Sequence, residues 1–262
     1  VLQRNAEEIT RRAGRPIRIT WIAERALDRA RELTKGTPGI NLTDDARKVL
    51  THPDVDIVVE LIGGLEPARA FILEAIANGK HVITANKALL ARHGNEIFAA
   101  AHEKGVVVAF EGAVAGGIPI IKALREGLTA NRLEWIAGII NGTSNFILSE
   151  MRDKGISFDD ALGDAQKRGY AEADPTFDIA GVDASHKLTI LSALAFGIPM
   201  QLKKCFVEGI QKLTADDIRY AEELGYRIKL LGITKKRSGG IELRVHPTLV
   251  PTRRLIANVE GV

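Results

Sequence analysis

The sequence predicts an α/β protein in two parts: a doubly wound parallel sheet over residues 1–117, then an α+β domain over residues 118–262. Three observations predict it. Short apolar runs alternate with helical patterns through the first half, as strands joined by right-handed helical crossovers do. Val55-Asp-Ile-Val-Val-Glu-Leu-Ile62 is largely apolar, as a strand covered on both faces must be. Past Gly117 the order changes, and Ile241-Glu-Leu-Arg-Val-His246 alternates after a Gly239-Gly240 turn, the pattern of a half-buried antiparallel strand.

The elements follow in order. Val1 to Ala13 reads as helix, with Arg11-Arg12-Ala-Gly-Arg15 at its end. Ile17 to Ile22 is a strand and Ala26 to Leu33 a helix. Glu66 to Asn78 is helical with Gly79 as its stop, and His81-Val-Ile83 is the next strand. Ala88 to Lys104 is helical up to Gly105, and Val106 to Phe110 is a strand. In the second part, Leu133 to Ile140 is a strand opening into Asn141-Gly-Thr-Ser-Asn145 and a helix to Lys154. Ser157-Phe-Asp-Asp160 resembles a capping box for a helix that stops at Gly169. A polar loop of about a dozen residues comes next, then an apolar helix from His186 to Phe196. Lys235-Lys-Arg237-Ser-Gly-Gly240 reads as a hairpin tip, and Leu255-Ile-Ala-Asn-Val259 as strand-like.

Composition narrows the function. The chain has 262 residues, 45% hydrophobic and 26% charged, the balance of a soluble globular protein. It has no apolar run of membrane-spanning length, and Val1-Leu-Gln-Arg-Asn is not a signal peptide. The single cysteine, Cys205, excludes an internal disulfide and suits a reducing cytoplasm. The six histidines lack metal-ligand spacing. A net charge of +3 and 5% aromatic residues argue against nucleic acid, leaving a small molecule as the expected partner.

The segment Ala165 to Lys187 concentrates the chemistry. Glu172, Asp174 and Asp178 sit in the polar loop, and Asp183 and Lys187 lie four apart, on one face of a helix. Such a loop can aim carboxylates and an amine at one small polar ligand. A capped loop with a surface ion pair fits the same spacing.

Ala165-x3-Gly169-Tyr170-Ala171-x2-Asp174-Pro175-x2-Asp178-Ile179-x-Gly181-x-Asp183-x3-Lys187 resembles the signature of homoserine dehydrogenases at every specified position. The resemblance runs from the N-terminal helix to about residue 250. It implies NAD(P)-dependent interconversion of L-homoserine and L-aspartate 4-semialdehyde, on the route to threonine, isoleucine and methionine. It makes Lys187 the catalytic acid/base and gives Glu172 and Asp183 the substrate's amino group. Asp174 and Asp178 brace the loop; Tyr170 adds a hydroxyl or packs. Thr143, in the helix start after Ile140, is expected to help bind the substrate carboxylate or a cofactor edge, and a capped helix start explains it equally. Other readings are a different two-domain amino-acid dehydrogenase, or a sensor that binds a dinucleotide or amino acid without turnover.

A dinucleotide-binding Rossmann-type fold begins with a strand and a Gly-x-Gly-x-x-Gly turn. Val1 to Ala13 reads as the rest of the helix after that turn, so the chain is expected to start just past it. Ile62, Gly63 and Gly64 end a strand where backbone can approach a cofactor; a plain tight turn reads the same. Arg25 follows a strand at the place where a basic residue accommodates a 2′-phosphate, favouring NADP over NAD, with Glu24 beside it. Thr84-Ala-Asn86-Lys87 puts Lys87 at a strand's carboxyl end. A lone lysine there is usually solvated, but the Asn-Lys pair matches the family where it lies between nicotinamide ribose and substrate. Glu111-Gly-Ala-Val114-Ala-Gly116-Gly-Ile118-Pro119 reads physically as a glycine-rich hinge. The resemblance makes Glu111, Val114, Gly116 and Ile118 a site for a monovalent cation such as Na+, and implies a homodimer or homotetramer.

Overall fold

A computed structural model describes residues 1–261. They form two compact units: Val1–Glu60, Glu66–Ile83 and Ala99–Ala109 make the first, and Leu61–Leu65, Thr84–Phe98 and the chain from Phe110 onward make the second. The units interleave where the sequence suggested one break at residue 117.

In the first unit, α1 (Ala6–Ala13) ends at a left-handed Gly14. β1 (Trp21–Ala23) and β2 (Asn41–Thr43) pair in parallel across α2 (Leu27–Leu33). α3 (Ala46–Leu50) is capped by Asp45, whose carboxylate accepts from the Arg47 amide at 3.0 Å. β3 (Ile57–Glu60), α4 (Ala68–Ala77), β4 (His81–Thr84) and the short β5 (Val108–Ala109) complete the alternation. The strand order is β3-β4-β5, with β4 and β5 parallel. The fold class is therefore as the alternation predicts, but β1, β3 and β5 are shorter than the runs read from the sequence, while β4 extends one residue further. Ile17 to Thr20 and Val106-Val107 flank β1 and β5 outside the ladders, although the Thr20 and Val107 carbonyls accept from the Asn41 and Val82 amides at 2.8 and 2.9 Å. Ala68, Ile72, Ala75 and Ile76 of α4 and Val82 of β4 are buried.

α5 (Lys87–Lys104) starts in the second unit and finishes in the first. The second unit continues through α6 (Ile120–Lys122), which runs into a π turn at Ala123–Gly127, and β6 (Trp135–Gly138). Next come α7 (Gly142–Lys154), α8 (Phe158–Lys167), α9 (Thr176–Ile179) and α10 (Val182–Phe196). β7 (Phe206–Val207), α11 (Ala215–Glu223), β8 (Tyr226–Arg237) and β9 (Gly240–Pro251) end the series. The sheet order is β6-β8-β9-β7; β8 is antiparallel to β6 and β9, and β7 is parallel to β9.

Alternation along β8 sets the layers. Leu230 joins Phe146, Ile147, Met151, Leu188 and Val245 in the core that α7 and α10 form with one sheet face. Leu231 turns the other way and packs with Val250 and Ala257. Ala257 lies in a 3₁₀ turn, Leu255–Asn258, where the sequence suggested strand: the apolar Leu-Ile-Ala run serves to cover that sheet face.

Two further differences bear on function. The polar loop after Gly169 contains α9, and α10 starts at Val182, four residues before the predicted His186. The predicted start followed apolarity, and the first turn of α10 is polar. That turn buries Asp183, Ser185 and His186. Among the described residues, no helix is long and apolar enough to cross a membrane.

Candidate active site

Asn141, just beyond β6, organises the site. Its Oδ1 accepts from the Ser144 amide at 2.8 Å and so caps α7. Its Nδ2 donates to Asp178 Oδ1 at 2.7 Å and to Asp183 Oδ2 at 2.9 Å. One amide thus ties α7 to α9 and α10. Lys187, one turn after Asp183 on α10, donates to Asp183 Oδ2 at 2.7 Å and to the Ile140 carbonyl at 2.8 Å. Lys87, at the start of α5, reaches Asp183 Oδ1 at 3.1 Å.

The burial is graded: side-chain exposure is 4% for Asp183, 19% for Lys187 and 33% for Lys87. This is no surface ion pair. Burial pushes the Asp183 carboxyl up, but the Lys187 charge and hydrogen bond, the Asn141 amide and Lys87 outweigh it and hold Asp183 below its ordinary value. Asp183 is therefore held as the anion between the two lysines. Lys187 has three donor positions as an ammonium and uses two within the protein.

His186 is buried, and burial first, then Arg92 and Lys87, push it down to about 4 against the pull of Asp183. It is neutral near pH 7, and its Nδ1 has no hydrogen-bond partner among the described residues. Its ring meets the Phe177 ring edge-on at 5.3 Å, and Lys87 Nζ lies 6.0 Å from the Phe177 centroid. Phe177 therefore borders both the His186 imidazole and the Lys87 amine.

The remaining predicted residues have varied surroundings. Thr143 donates its hydroxyl to the Tyr170 carbonyl at 2.8 Å, and the Tyr170 ring packs on Phe146 at 5.0 Å. These contacts tie the loop after α8 to the start of α7. Glu172 is exposed, its carbonyl accepts from Gln166 at 3.2 Å, and its carboxylate makes no hydrogen bond or ion pair among the described residues. Asp174 caps the start of α9 by accepting from the Thr176 amide at 3.1 Å.

After β3, Ile62 is exposed and Gly63 and Gly64 adopt φ of 77° and 70°, with nothing within 4 Å of where a Cβ would stand. Asn86 donates to the Gly64 carbonyl at 2.8 Å while its Oδ1 accepts from the Leu89 amide, fixing this turn to the start of α5. Arg25 is an exposed residue after β1. The Glu111 carboxylate accepts from the Ile121 and Lys122 amides at 2.8 and 2.9 Å, capping α6; Val114 is buried and Ile118 exposed, while Ala115 has a φ of 50°. No cluster of three or more His, Cys, Asp or Glu fit to hold a metal occurs among the described residues. Burial pushes the Cys205 thiol up to about 11, which removes it as a nucleophile.

Sequence reasoning gave the lysines and Asp183 but missed the bridging role of Asn141, the Ile140 carbonyl, Phe177 and His186. The cap at Asn141 was legible. Its bonds to Asp178 and Asp183 span 37 and 42 residues, and no local signal encodes them.

The chain holds a parallel α/β unit, the class of fold that binds dinucleotides at the carboxyl ends of its strands, and an α+β unit with a lysine-aspartate-lysine centre. The family model described as homoserine dehydrogenase matches residues 119–262, and that of the homoserine dehydrogenase NAD binding domain matches residues 1–111. The chain is 63% identical to a homoserine dehydrogenase of Pseudomonas aeruginosa over 262 residues, all of this chain and 59% of that relative. It resembles the crystal structure of a homoserine dehydrogenase from Thiobacillus denitrificans with a TM-score of 0.95 and 71% identity, over 99% of this chain and 60% of that one. A hyperthermophilic archaeal homoserine dehydrogenase in complex with NADPH matches with a TM-score of 0.79 and 25% identity, over 98% of this chain and 81% of that one. The chain belongs to the homoserine dehydrogenase family, and spans about 60% of the length of its most similar relatives named here.

Proposed function

We propose that the chain carries the catalytic part of an NAD(P)-dependent homoserine dehydrogenase, interconverting L-homoserine and L-aspartate 4-semialdehyde in the synthesis of threonine, isoleucine and methionine. The Lys87–Asp183–Lys187 centre is the observation that carries this reading. A bound nicotinamide supplies the hydride chemistry at C4 of the substrate. The residues present fit such a group: two left-handed glycines with open space above them, and an exposed Ile62, leave room for a flat ring. The protein's own task is the proton. Lys187, as the neutral amine, takes it from the homoserine hydroxyl and, in the reverse direction, returns it as the ammonium to the developing alkoxide. Asp183 holds Lys187 in place and, with Glu172, receives the substrate ammonium. Thr143 and Tyr170 border the substrate at the start of α7, and Lys87 at the start of α5 orients its polar groups.

The finer features follow from the same reading. Arg25 supports NADP over NAD, as does the NADPH complex of the archaeal relative. Residues 1–117 form the dinucleotide domain and 118–262 the substrate domain. The carbonyls of Val114, Gly116 and Ile118, with Glu111, are the candidate ligands for Na+, hard oxygen donors suited to a hard cation. Trp135, 59% exposed on β6, supports a homodimer or homotetramer built on the substrate-domain sheet, and the single cysteine supports a cytoplasmic location.

The test is Lys187→Ala in the full-length protein. Turnover should be lost while homoserine still binds, measured by cofactor absorbance and by calorimetry; complete activity would sink the assignment. Comparing homoserine with other amino alcohols separates this reading from another amino-acid dehydrogenase.

A further inference from the structure

Lys229 is a lysine the reaction does not use, and it is 1% exposed near the start of β8. Lysines are almost never fully buried, and a methionine would fill the same volume without desolvating a charge. Its ammonium donates to Asn145 Oδ1 at 3.0 Å and to the Val259 carbonyl at 2.6 Å. Asn145 in turn donates to the carbonyls of Val259 at 3.3 Å and Gly261 at 2.8 Å. Arg152, also on α7, holds Glu260 at 2.9 Å, and Arg227 reaches the same Glu260 oxygen at 3.4 Å. The Val259–Gly261 segment is thus strapped along α7 from Asn145 to Arg152, with Lys229 bonded to both Asn145 and Val259.

Asn145 closes the first turn of α7, its backbone amide donating to the carbonyl of the N-cap Asn141 at 3.3 Å. Asn141 is the residue whose amide orients Asp183, and Asp183 orients Lys187. We propose that Lys229 is a positioning residue for the acid–base centre: by pinning the first turn of α7 and the Val259–Gly261 segment to β8, it fixes the Asn141 amide. The kinetic part of this proposal rests on the dehydrogenase reading; the mechanical part does not.

The experiment compares wild type with Lys229→Met in the full-length protein by amide hydrogen exchange without substrate and by homoserine kinetics. The Ser144 amide, which reports the Asn141 cap, and the amides of residues 259–261 should exchange about tenfold faster, with the centre of β8–β9 unchanged. In parallel, kcat should fall about tenfold with KM changed less than about threefold, the split expected when alignment and not binding is lost. Should Lys229→Met fail to fold, Glu260→Ala, whose side chain is 52% exposed, loosens the same strap from outside and should give the same changes at smaller size. Unchanged Ser144 exchange overturns the proposal, and so does faster exchange with unchanged kcat. Wild-type protein inert towards homoserine would refute the dehydrogenase reading instead, and Ser144 exchange would still decide whether Lys229 pins the cap.

Discussion

Lys87 and Lys187 hold opposite oxygens of one carboxylate, at 3.1 Å on Asp183 Oδ1 and 2.7 Å on Asp183 Oδ2. The two amines come from α5 and α10, so a single buried anion sets the distance between the two candidate catalytic groups. Asp183→Asn preserves the shape and removes the charge, leaving two ammonium groups without it. Removing one partner of a buried pair typically costs about 3 kcal/mol or more, and that loss is expected in denaturant unfolding. The kcat/KM for homoserine should fall about a hundredfold or more, because Lys187 loses the bond that aims it. Near-normal kinetics would show that Asp183 is a structural counter-ion alone.

Asn141→Ala removes a helix cap and a donor shared by two carboxylates. A cap alone is worth about 1 kcal/mol. Ser157→Ala is the matched comparison, since Ser157 caps α8 at an exposed position. Unfolding should show Asn141→Ala to be the more damaging by about 1–3 kcal/mol, the cost of leaving buried acceptors short of a donor. Equal losses would mean that the bonds to Asp178 and Asp183 contribute nothing.

The comparison also shows what the sequence could reveal. Spacing of four between Asp183 and Lys187 encoded their shared face, and glycines after helical patterns encoded helix ends such as Gly105. Lys87 is legible through its place after a strand and the match of the Asn86-Lys87 pair to the family. What spacing could not encode was convergence: Lys87 and Asp183 are brought together by folding, not by local pattern. The start of α10 was misjudged for a related reason. Polar residues in a first turn look like loop until other elements bury them, and here Asn141 and Lys87 make that burial tolerable. Lys229 was invisible for the same cause, since a lysine in a strand reads as solvent-facing until its acceptors are known.

His186 sets a pH limit. Its pKa is depressed to about 4 in the folded protein against 6.5 for the ordinary side chain. Above pH 6.5 both states are neutral at this residue, and stability is unaffected by it. Between pH 6.5 and 4 the unfolded chain takes up a proton that the folded one refuses, so stability falls as pH falls through that window. A shift of this size corresponds to about 3 kcal/mol by pH 4. Urea unfolding across this range should show the loss in wild type, and His186→Phe should flatten that part of the curve. An unchanged slope in the variant would assign the acid limb to the carboxylates, Asp183 first.

Two glycines should respond in opposite directions to the same substitution. A Cβ on Gly209 would stand 2.6 Å from Ala180 Cα and closer still to the Ile179 carbonyl, which already accepts from the Ile210 amide. These are backbone atoms at the end of α9 and cannot swing aside. Gly209→Ala must therefore displace α9, which carries Asp178 to Asn141 and Phe177 to His186. Overpacking of this kind costs about 1–3 kcal/mol. Gly163, by contrast, lies within α8 with nothing within 4 Å of the added carbon. Gly163→Ala should raise stability by up to about 1 kcal/mol, the helix preference for alanine over glycine. Thermal unfolding measures both signs. Kinetics adds the discriminating test: Gly209→Ala should lower kcat/KM because α9 moves with it, whereas Gly163→Ala should leave it unchanged. If Gly209→Ala destabilises the fold and spares kcat/KM, α9 is packed against the centre without positioning it.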